Sequence, residues 1–227
     1  PEWHGGIAEF DEIHILPIDD EGSAQIAYES GDLDYTRVPL GAVGSLKDSM
    51  PAHSKLEEYP SLFYVWVGMN VENEMLSNEN LRKAIQHAID VPSIMEASYF
   101  GAAQPSTGII APGLTGNRAQ SNVPPGANFK KAKEYLAAAG MSDGVTVTLD
   151  VLNKAANVTT AQVIQATCAQ VGITIDINLH ESGAFWSLGD SSAGERYKDI
   201  QLILNRYSMA PDPSYATAWF ITSQKGI

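Results

Sequence analysis

Residues Asn78–Gly113 read NENLRKAIQHAIDVPSIMEASYFGAAQPSTGIIAPG. Apolar residues recur at helical spacing over Leu81–Ile89, which predicts a helix with one buried face. Ser77 or Asn78 can cap the start of this helix, and Asp90 is expected to end it and to cap a second helix. Glycines and prolines then break the second helix and begin an extended loop. The pattern predicts a helical hairpin and a shaped loop, but it names no chemistry.

The hairpin and loop together resemble a two-part signature of the family-5 solute-binding proteins of ABC importers. This family includes dipeptide-, oligopeptide- and nickel-binding proteins. The matching positions are Arg82, Ala84, Ala88, Ile89, Asp90, Gly101, Pro105, Pro112 and Gly113, with Ala111 where a first proline is common. Two linked motifs at the right separation are more specific than either alone. The resemblance implies a periplasmic-binding-protein-like fold built of two lobes.

A second segment near the N-terminus resembles a first-lobe motif of the same family. The matching positions are Asp11, Glu12, Ile13, Asp20, Ala24, Ser30, Gly31 and Asp34. The resemblance therefore implies that residues 1–66 are part of the first lobe and the crossover out of it. Residues 67–227 would form the second, ligand-binding lobe, truncated before the chain returns to lobe one.

Hydrophobic patterning predicts an α/β fold, a mixed sheet flanked by helices. Alternating polar and apolar residues predict a strand at Ile13–Pro17, and Asp34–Val38 is expected to be a short strand. Residues 145–151 and 173–179 alternate on either side of a helical pattern, which predicts a right-handed βαβ unit with parallel strands. Residues 200–204 form an apolar run typical of a strand buried on both faces.

Two helices and the crossover strand that precede residue 145 are predicted from capping and composition. A helix is expected to begin at Asp20 and to end at Gly31. Asn128 is expected to cap a later helix, which Gly140 ends in a left-handed conformation. The later part of Leu56–Val71 is rich in aromatic and β-branched residues and predicts a strand. By resemblance this strand is the crossover between lobes.

The charge of the chain excludes some classes of partner. Its 14 Lys and Arg residues stand against 27 Asp and Glu residues, a net charge of −13. This balance disfavours nucleic acid and an anionic membrane surface. No stretch approaches the roughly 20 apolar residues of a membrane-spanning helix. The first residues, PEWHGG, lack the pattern of a signal peptide, whereas the resemblance implies export, so we expect that segment to have been lost or left out.

Residues that could carry catalysis or bind a metal are scattered. The histidines His4, His14, His53, His87 and His180 form no metal-binding pair, and His87 is expected to be a partly exposed structural residue. Cys168 lies on an apolar helical face and is expected to be buried rather than reactive. No nucleotide-binding loop is present, so we expect neither a cofactor nor a metal. Ser191 and Ser192 superficially resemble a serine-hydrolase loop, but they lack a strand-to-helix frame and an adjacent base.

The candidate site is the stretch Asn205–Pro213, directly after the buried strand. Ligands bind outside the carboxyl ends of strands in open α/β sheets. The stretch resembles a cleft segment of the family, and Asp212 matches that segment. Peptide binders of the family carry an aspartate for the ligand ammonium where this chain has Met209. They also place an arginine in the loop after residues 145–151, where Asn153 stands here. The resemblance therefore implies that free di- or tripeptides are not held in the usual way.

Polar and aromatic residues near these positions are the remaining candidates for contacts with a ligand. They suit a sugar, an opine or another polar solute. The predicted site residues are Asn70, Asn153, Trp186, Asn205, Arg206, Tyr207, Met209 and Asp212. Trp186 suits the core as well as the cleft. Arg206 suits either a ligand anchor or an interlobe salt bridge.

The resemblance implies a periplasmic or extracytoplasmic protein that delivers a small solute to the membrane permease of an ABC importer, without enzymatic activity. Two alternatives remain open: an α/β hydrolase-like enzyme using Ser191 or Ser192, and a sensor or interaction domain on the same fold. Neither nucleic-acid binding nor membrane insertion of this part of the chain is expected.

Overall fold

A computed structural model describes residues 9–59, 61–190, 195–208 and 210–220. The chain divides into two compact units, Pro1–Glu58 and Tyr59–Ile227. The first unit contains α1 (Glu21–Glu29), a 3-10 turn (Leu40–Ala42) and α2 (Val43–Asp48). The second contains β1 (Phe63–Met69), α3 (Glu79–Ala88), α4 (Val91–Tyr99), α5 (Phe129–Ala138), β2 (Val145–Leu152), α6 (Ala155–Ala169), β3 (Ile173–His180), α7 (Ser182–Ser187), a 3-10 turn (Glu195–Lys198), β4 (Leu202–Ser208) and α8 (Pro213–Phe220).

In the first unit, α1 begins and ends where the sequence predicts. The Asp20 carboxylate accepts a hydrogen bond from the Ser23 backbone N–H at 2.8 Å, which satisfies one of the free donors of the first turn. At the other end the chain leaves the helix through Gly31 at φ 87°, a left-handed conformation that glycine adopts without a steric penalty. This helix is confirmed.

Two strands predicted in the first unit are wrong. The segments Ile13–Pro17 and Asp34–Val38 have no regular secondary structure. A strand needs a neighbour to take its backbone N–H and C=O groups, and no strand among the described residues pairs with either segment. Ile15 is 87% exposed, so the apolar residues of this alternating segment do not form a buried face.

The second unit is built on a four-stranded sheet with the order β1-β4-β2-β3. β2 is parallel to both β3 and β4, and β1 is antiparallel to β4. The predicted parallel βαβ unit is therefore confirmed as β2-α6-β3. The expected mixed sheet flanked by helices is also confirmed, because α6 packs on β2 and β3 and α4 packs on α6.

The main hydrophobic core lies on the face of the sheet that carries the odd-numbered residues of β2. Leu149 is completely buried there beside Leu202 of β4, and Ile164 of α6 packs into the same core. Ile85 of the first hairpin helix belongs to this core as well. Burying a side chain of this size contributes about 2 kcal/mol. The apolar stripe of α3 therefore belongs to the main core, and α3 itself packs on α5.

Three predicted helix caps are confirmed by their hydrogen bonds. Asn78 accepts from the backbone N–H groups of Asn80 at 3.0 Å and Leu81 at 3.4 Å. Asp90 accepts from Ser93 N at 3.1 Å and also from Ala127 N at 2.8 Å, so one carboxylate begins α4 and ties down the long loop that follows it. Asn128 caps α5 by accepting from Lys131 N at 3.0 Å.

The outcomes for two potentially reactive side chains differ. Cys168 is buried as predicted, and burial raises the pKa of its thiol to about 12, which keeps it protonated. His87 was expected to be partly exposed but is buried, with 7% of its surface exposed. Its ring stacks on Tyr135 of α5 with the centroids 5.5 Å apart, and this aromatic neighbour is what covers it. Burial lowers the pKa of His87, and the charge of Lys131 lowers it further.

Candidate functional site

One edge of the sheet gathers most of the predicted site residues. The carboxyl ends of the parallel strands β2, β3 and β4 meet there, and the antiparallel β1 begins there, since Phe63 pairs with Ser208. We call this the carboxyl edge. Asn153, Trp186, Arg206, Tyr207 and Asp212 lie at it or in the segments that leave it. Polar and aromatic side chains therefore collect where open α/β sheets bind ligands.

Asn70 lies at the opposite edge, about 20 Å away along β1 at about 3.3 Å per residue. Its side-chain amide donates to the carbonyl oxygens of Tyr197 at 2.8 Å and Ile200 at 2.9 Å. Its backbone N–H donates to the carbonyl of Gln201 at 3.0 Å. The structure thus does not bring Asn70 together with the other predicted residues. Its hydrogen bonds hold the turn that enters β4.

Asn205 lies within β4 rather than at the rim. It pairs with Trp66 of β1 and is 8% exposed. Its side-chain oxygen accepts from the backbone N–H of Arg206 at 2.7 Å. The side-chain oxygen is therefore engaged within its own strand. Its neighbour Met209 lies outside the described residues.

Arg206 is exposed near the end of β4, with its guanidinium over an aromatic ring. The guanidinium carbon lies 5.1 Å from the centroid of the Phe63 ring. Burial raises the pKa of the Tyr99 phenol in α4, and a hydrogen bond with Thr160 and the nearby charge of Arg206 act in the opposite direction. Arg206 therefore lies on the helix-covered face of the sheet, between an aromatic ring and a phenol.

Tyr207 points to the other face, where a small second core covers the end of β4. Its ring stacks on Tyr215 of α8, with centroids 5.7 Å apart. Ala216 of α8 and Ala111 of the loop after α4 are buried in the same cluster. Burial and the contact with Tyr215 raise the pKa of Tyr207 to about 12. This cluster joins the long loop to the carboxyl edge.

The polar groups at the ends of β2 and β4 have local partners. The side-chain amide of Asn153 donates to the Glu181 carboxylate at 2.8 Å. Asp212 accepts from Ser214 N at 2.8 Å at the start of α8. Hydrogen bonds from the Ser214 side chain and backbone lower the pKa of Asp212, so its carboxylate stays ionised at neutral pH.

Trp186 is 62% exposed in the short helix α7. Phe185 beside it is buried, and the two rings meet edge to face with centroids 5.4 Å apart. The sequence allowed Trp186 a place in the core or in the cleft, and its exposure removes it from the core of the described residues. An exposed indole held by a buried neighbour offers a flat apolar wall for a ring or chain of a solute.

Sequence reasoning missed a polar cluster inside the sheet. One oxygen of Asp150, which is only 5% exposed, accepts from the Asn178 side chain at 2.8 Å and contacts Nε2 of His180 at 2.7 Å. The parallel register puts Asp150 beside Asn178, and His180 follows two residues later on the same face. Period-two spacing in both strands was the available signal. The scattered positions of the histidines in the sequence concealed it.

The described residues contain no group of three or more His, Cys, Asp or Glu side chains arranged to hold a metal ion. Within the same residues, no helix has both the length and the apolar composition required to cross a bilayer.

Comparison with known proteins places this arrangement in a family. The family model described as bacterial extracellular solute-binding proteins, family 5 Middle, matches residues 1–226. The chain belongs to this family. Its curated relatives include the glutathione-binding proteins GsiB of Shigella flexneri serotype 5b and of Escherichia coli K12. Each is 27% identical over 186 residues, which cover 80% of this chain and 35% of the relative.

Solved structures of other substrate-binding proteins share the fold. The periplasmic binding protein DppA of Helicobacter pylori, in complex with the peptide STSA, superposes with a TM-score of 0.74 and 25% identity over 88% of this chain and 38% of its own. The substrate-binding protein CtaP of Listeria monocytogenes gives 0.77 at 19% identity, over 91% of this chain and 42% of its own. AgaA of Agrobacterium tumefaciens R10, bound to agropinic acid, superposes with a TM-score of 0.68 and 22% identity. The match covers 91% of this chain and 41% of AgaA. The chain thus spans well under half the length of these proteins.

Proposed function

We propose that this chain is the greater part of the ligand-binding lobe of a substrate-binding protein of an ABC importer. The match of the family model to residues 1–226 is the observation that carries the proposal. The protein would capture a polar small solute outside the cytoplasm and deliver it to a membrane permease. Residues 1–66 would belong to the first lobe and its crossover, and residues 67–227 to the second.

The carboxyl edge supports this role through the kinds of side chain that it presents. Trp186 offers an exposed aromatic wall, Asn153 offers a polar side chain, and Arg206 offers a cation beside the Phe63 ring. Binding by lobe closure needs such a half-site, because a second lobe that closes over it excludes water and strengthens a few polar contacts. Tyr207 and Asp212 would shape the floor of the cleft rather than contact the solute through free groups.

The hydrolase alternative has no support from the family match, and its serines, Ser191 and Ser192, lie outside the described residues. Capture and release of a solute require no covalent step, so the protein would act without enzymatic activity. A sensor on the same fold would also bind a solute. Loss of solute uptake when the gene is deleted, with restoration by the wild-type gene, separates transport from sensing.

Binding is tested by calorimetry on a two-lobed version of the protein. The solute panel consists of glutathione, the peptide STSA, the dipeptide Met-Leu and agropinic acid, the compounds named for the relatives and solved structures. We expect at least one solute of this panel to bind with a micromolar or lower Kd. The 227-residue chain alone should bind the same solute at least tenfold more weakly, because it lacks most of the opposing lobe. Equal binding by both proteins, or no binding by the two-lobed protein, would contradict the proposal.

A further inference from the structure

We infer that the solute carries a carboxylate and that Arg206 receives it. This inference rests on the proposed function and adds the chemical class of the ligand to it. Three observations support it. The guanidinium lies over an aromatic ring, it has no hydrogen-bond or salt-bridge partner among the described residues, and the acidic side chains at the carboxyl edge are hydrogen-bonded to other groups.

The first observation is that the guanidinium is held at the carboxyl edge rather than free in solvent. Arg206 pairs with Val65 in the sheet, so its side chain lies on the same face of β1 as Phe63, two residues earlier in the chain. The Phe63 ring, 47% exposed, lies under the guanidinium at 5.1 Å. A cation at this distance over an aromatic face is attracted by the ring, and the contact favours this position of the side chain. The ring contact therefore biases the guanidinium toward the carboxyl edge before any ligand arrives.

The second observation is that the guanidinium has no hydrogen-bond acceptor or salt-bridge partner among the described residues. Among the described residues, the backbone N–H of Arg206 donates a hydrogen bond but its guanidinium donates none. The salt bridges in the same residues all join other side chains. This lack of a partner occurs in a chain with 27 acidic and 14 basic residues. Five N–H donors in a planar fork fit the two oxygens of a carboxylate.

The third observation is that the acids at this edge make other hydrogen bonds. Glu181 accepts from Asn153 at 2.8 Å, and Asp212 accepts from the backbone N–H of Ser214 at 2.8 Å. Asp150 accepts from Asn178 and contacts His180. These bonds hold the carboxylates in place, and none of the three pairs with Arg206. A carboxylate of the solute can therefore pair with Arg206 without first breaking an ion pair inside the described part of the protein.

The apolar surroundings strengthen the pairing. An ion pair formed beside an aromatic ring and under a closing lobe is shielded from water, and its Coulomb energy rises as the local dielectric falls. Lys154, a cation that directly follows β2 at this edge, is exposed, and no aromatic ring among the described residues lies within cation–π distance of it. Lys154 therefore provides a matched control for the general effect of positive charge.

The test compares acids with their neutral derivatives in the two-lobed protein. Each solute of the panel is titrated by calorimetry beside its amide or ester. Wild type and the Lys154→Gln variant should bind the best acid at least tenfold more tightly than its neutral derivative. Arg206→Gln should raise the Kd of that acid at least tenfold and change the Kd of the neutral derivative by less than twofold. Arg206→Lys should lie between, because an ammonium cannot form the two-point pair.

Three outcomes would overturn the inference. If Arg206→Gln keeps the acid within twofold of wild type while its melting temperature is unchanged, the arginine is no anchor. If Lys154→Gln weakens acid binding as much as Arg206→Gln, general charge accounts for the effect. If wild type binds a neutral derivative as tightly as its acid, the ligand class is wrong but the proposed function stands. Absence of binding by every compound would contradict the proposed function itself.

Discussion

The two edges of the sheet use the same residue type in opposite ways. Asn70, at the end of β1, donates to two backbone carbonyls that are 127 and 130 residues away in the chain. Asn153, at the end of β2, donates to one exposed carboxylate. At the first edge the side-chain amide completes the fold, and at the carboxyl edge the side chains stay near the surface. An asparagine after a strand is therefore a binding candidate only when the backbone around it is already satisfied.

A similar contrast exists within the carboxyl edge. Arg206 and Trp186 are exposed, whereas the side chains of Asp150 and His180 are largely covered and hydrogen-bonded to each other. Substitutions of the inner pair should lower the stability of the protein. Substitutions of the outer residues should change binding and leave stability intact. The following predictions test that division.

The largest effect is expected for His180→Ala. The buried Asp150 carboxylate would keep only its hydrogen bond from Asn178, and a buried charge that loses a partner is costly. We expect the free energy of unfolding to fall by about 3 kcal/mol. Urea denaturation followed by circular dichroism measures it. Adding Asp150→Asn to this variant should restore part of the lost free energy of unfolding, because a buried neutral amide with one hydrogen-bond partner destabilises the fold less than a buried carboxylate does. A loss below 0.5 kcal/mol for His180→Ala would contradict the assignment.

A smaller loss is expected for Asn70→Ala at the opposite edge. The carbonyls of Tyr197 and Ile200 would each lose a donor, and water would replace part of that loss because the site is only partly buried. We expect about 2 kcal/mol of destabilisation and no change in the Kd of the best solute of the panel. Asn153→Ala is the matched control, with a stability change within 0.5 kcal/mol. A weaker affinity in Asn70→Ala at full stability would return Asn70 to the binding site.

The sequence predicted the elements that depend on local signals. The α3–α4 hairpin, its caps at Asn78 and Asp90, and the β2-α6-β3 unit follow from spacing and capping chemistry, which act over a few residues. The prediction of a strand at Ile13–Pro17 was wrong because a strand forms only when another strand takes its backbone hydrogen bonds. The hydrogen-bond partners of Asn70 and Asn205 could not be predicted for a related reason: they depend on how distant segments pair in the sheet, and a short segment of sequence does not contain that information.

The smallest effect on stability is expected for Trp186→Ala. Trp186 is 62% exposed and Phe185 is 2% exposed, so adjacent residues of α7 separate the two roles. Trp186→Ala should change the free energy of unfolding by less than about 0.5 kcal/mol. The loss of one aromatic stacking surface, about 1 kcal/mol, should weaken binding of the best panel solute several-fold.

Phe185→Ala is the matched control and should lose about 3 kcal/mol of stability, because it removes a buried aromatic side chain. Calorimetry and thermal denaturation on both variants check the pair. If Trp186→Ala destabilises the protein as much as Phe185→Ala, the indole packs against the opposing lobe or another part of the protein and is not a wall of the cleft. If both variants keep wild-type affinity, α7 lies outside the binding site. The carboxyl edge would then meet its solute through β4 alone, where Arg206 is the side chain held ready for it.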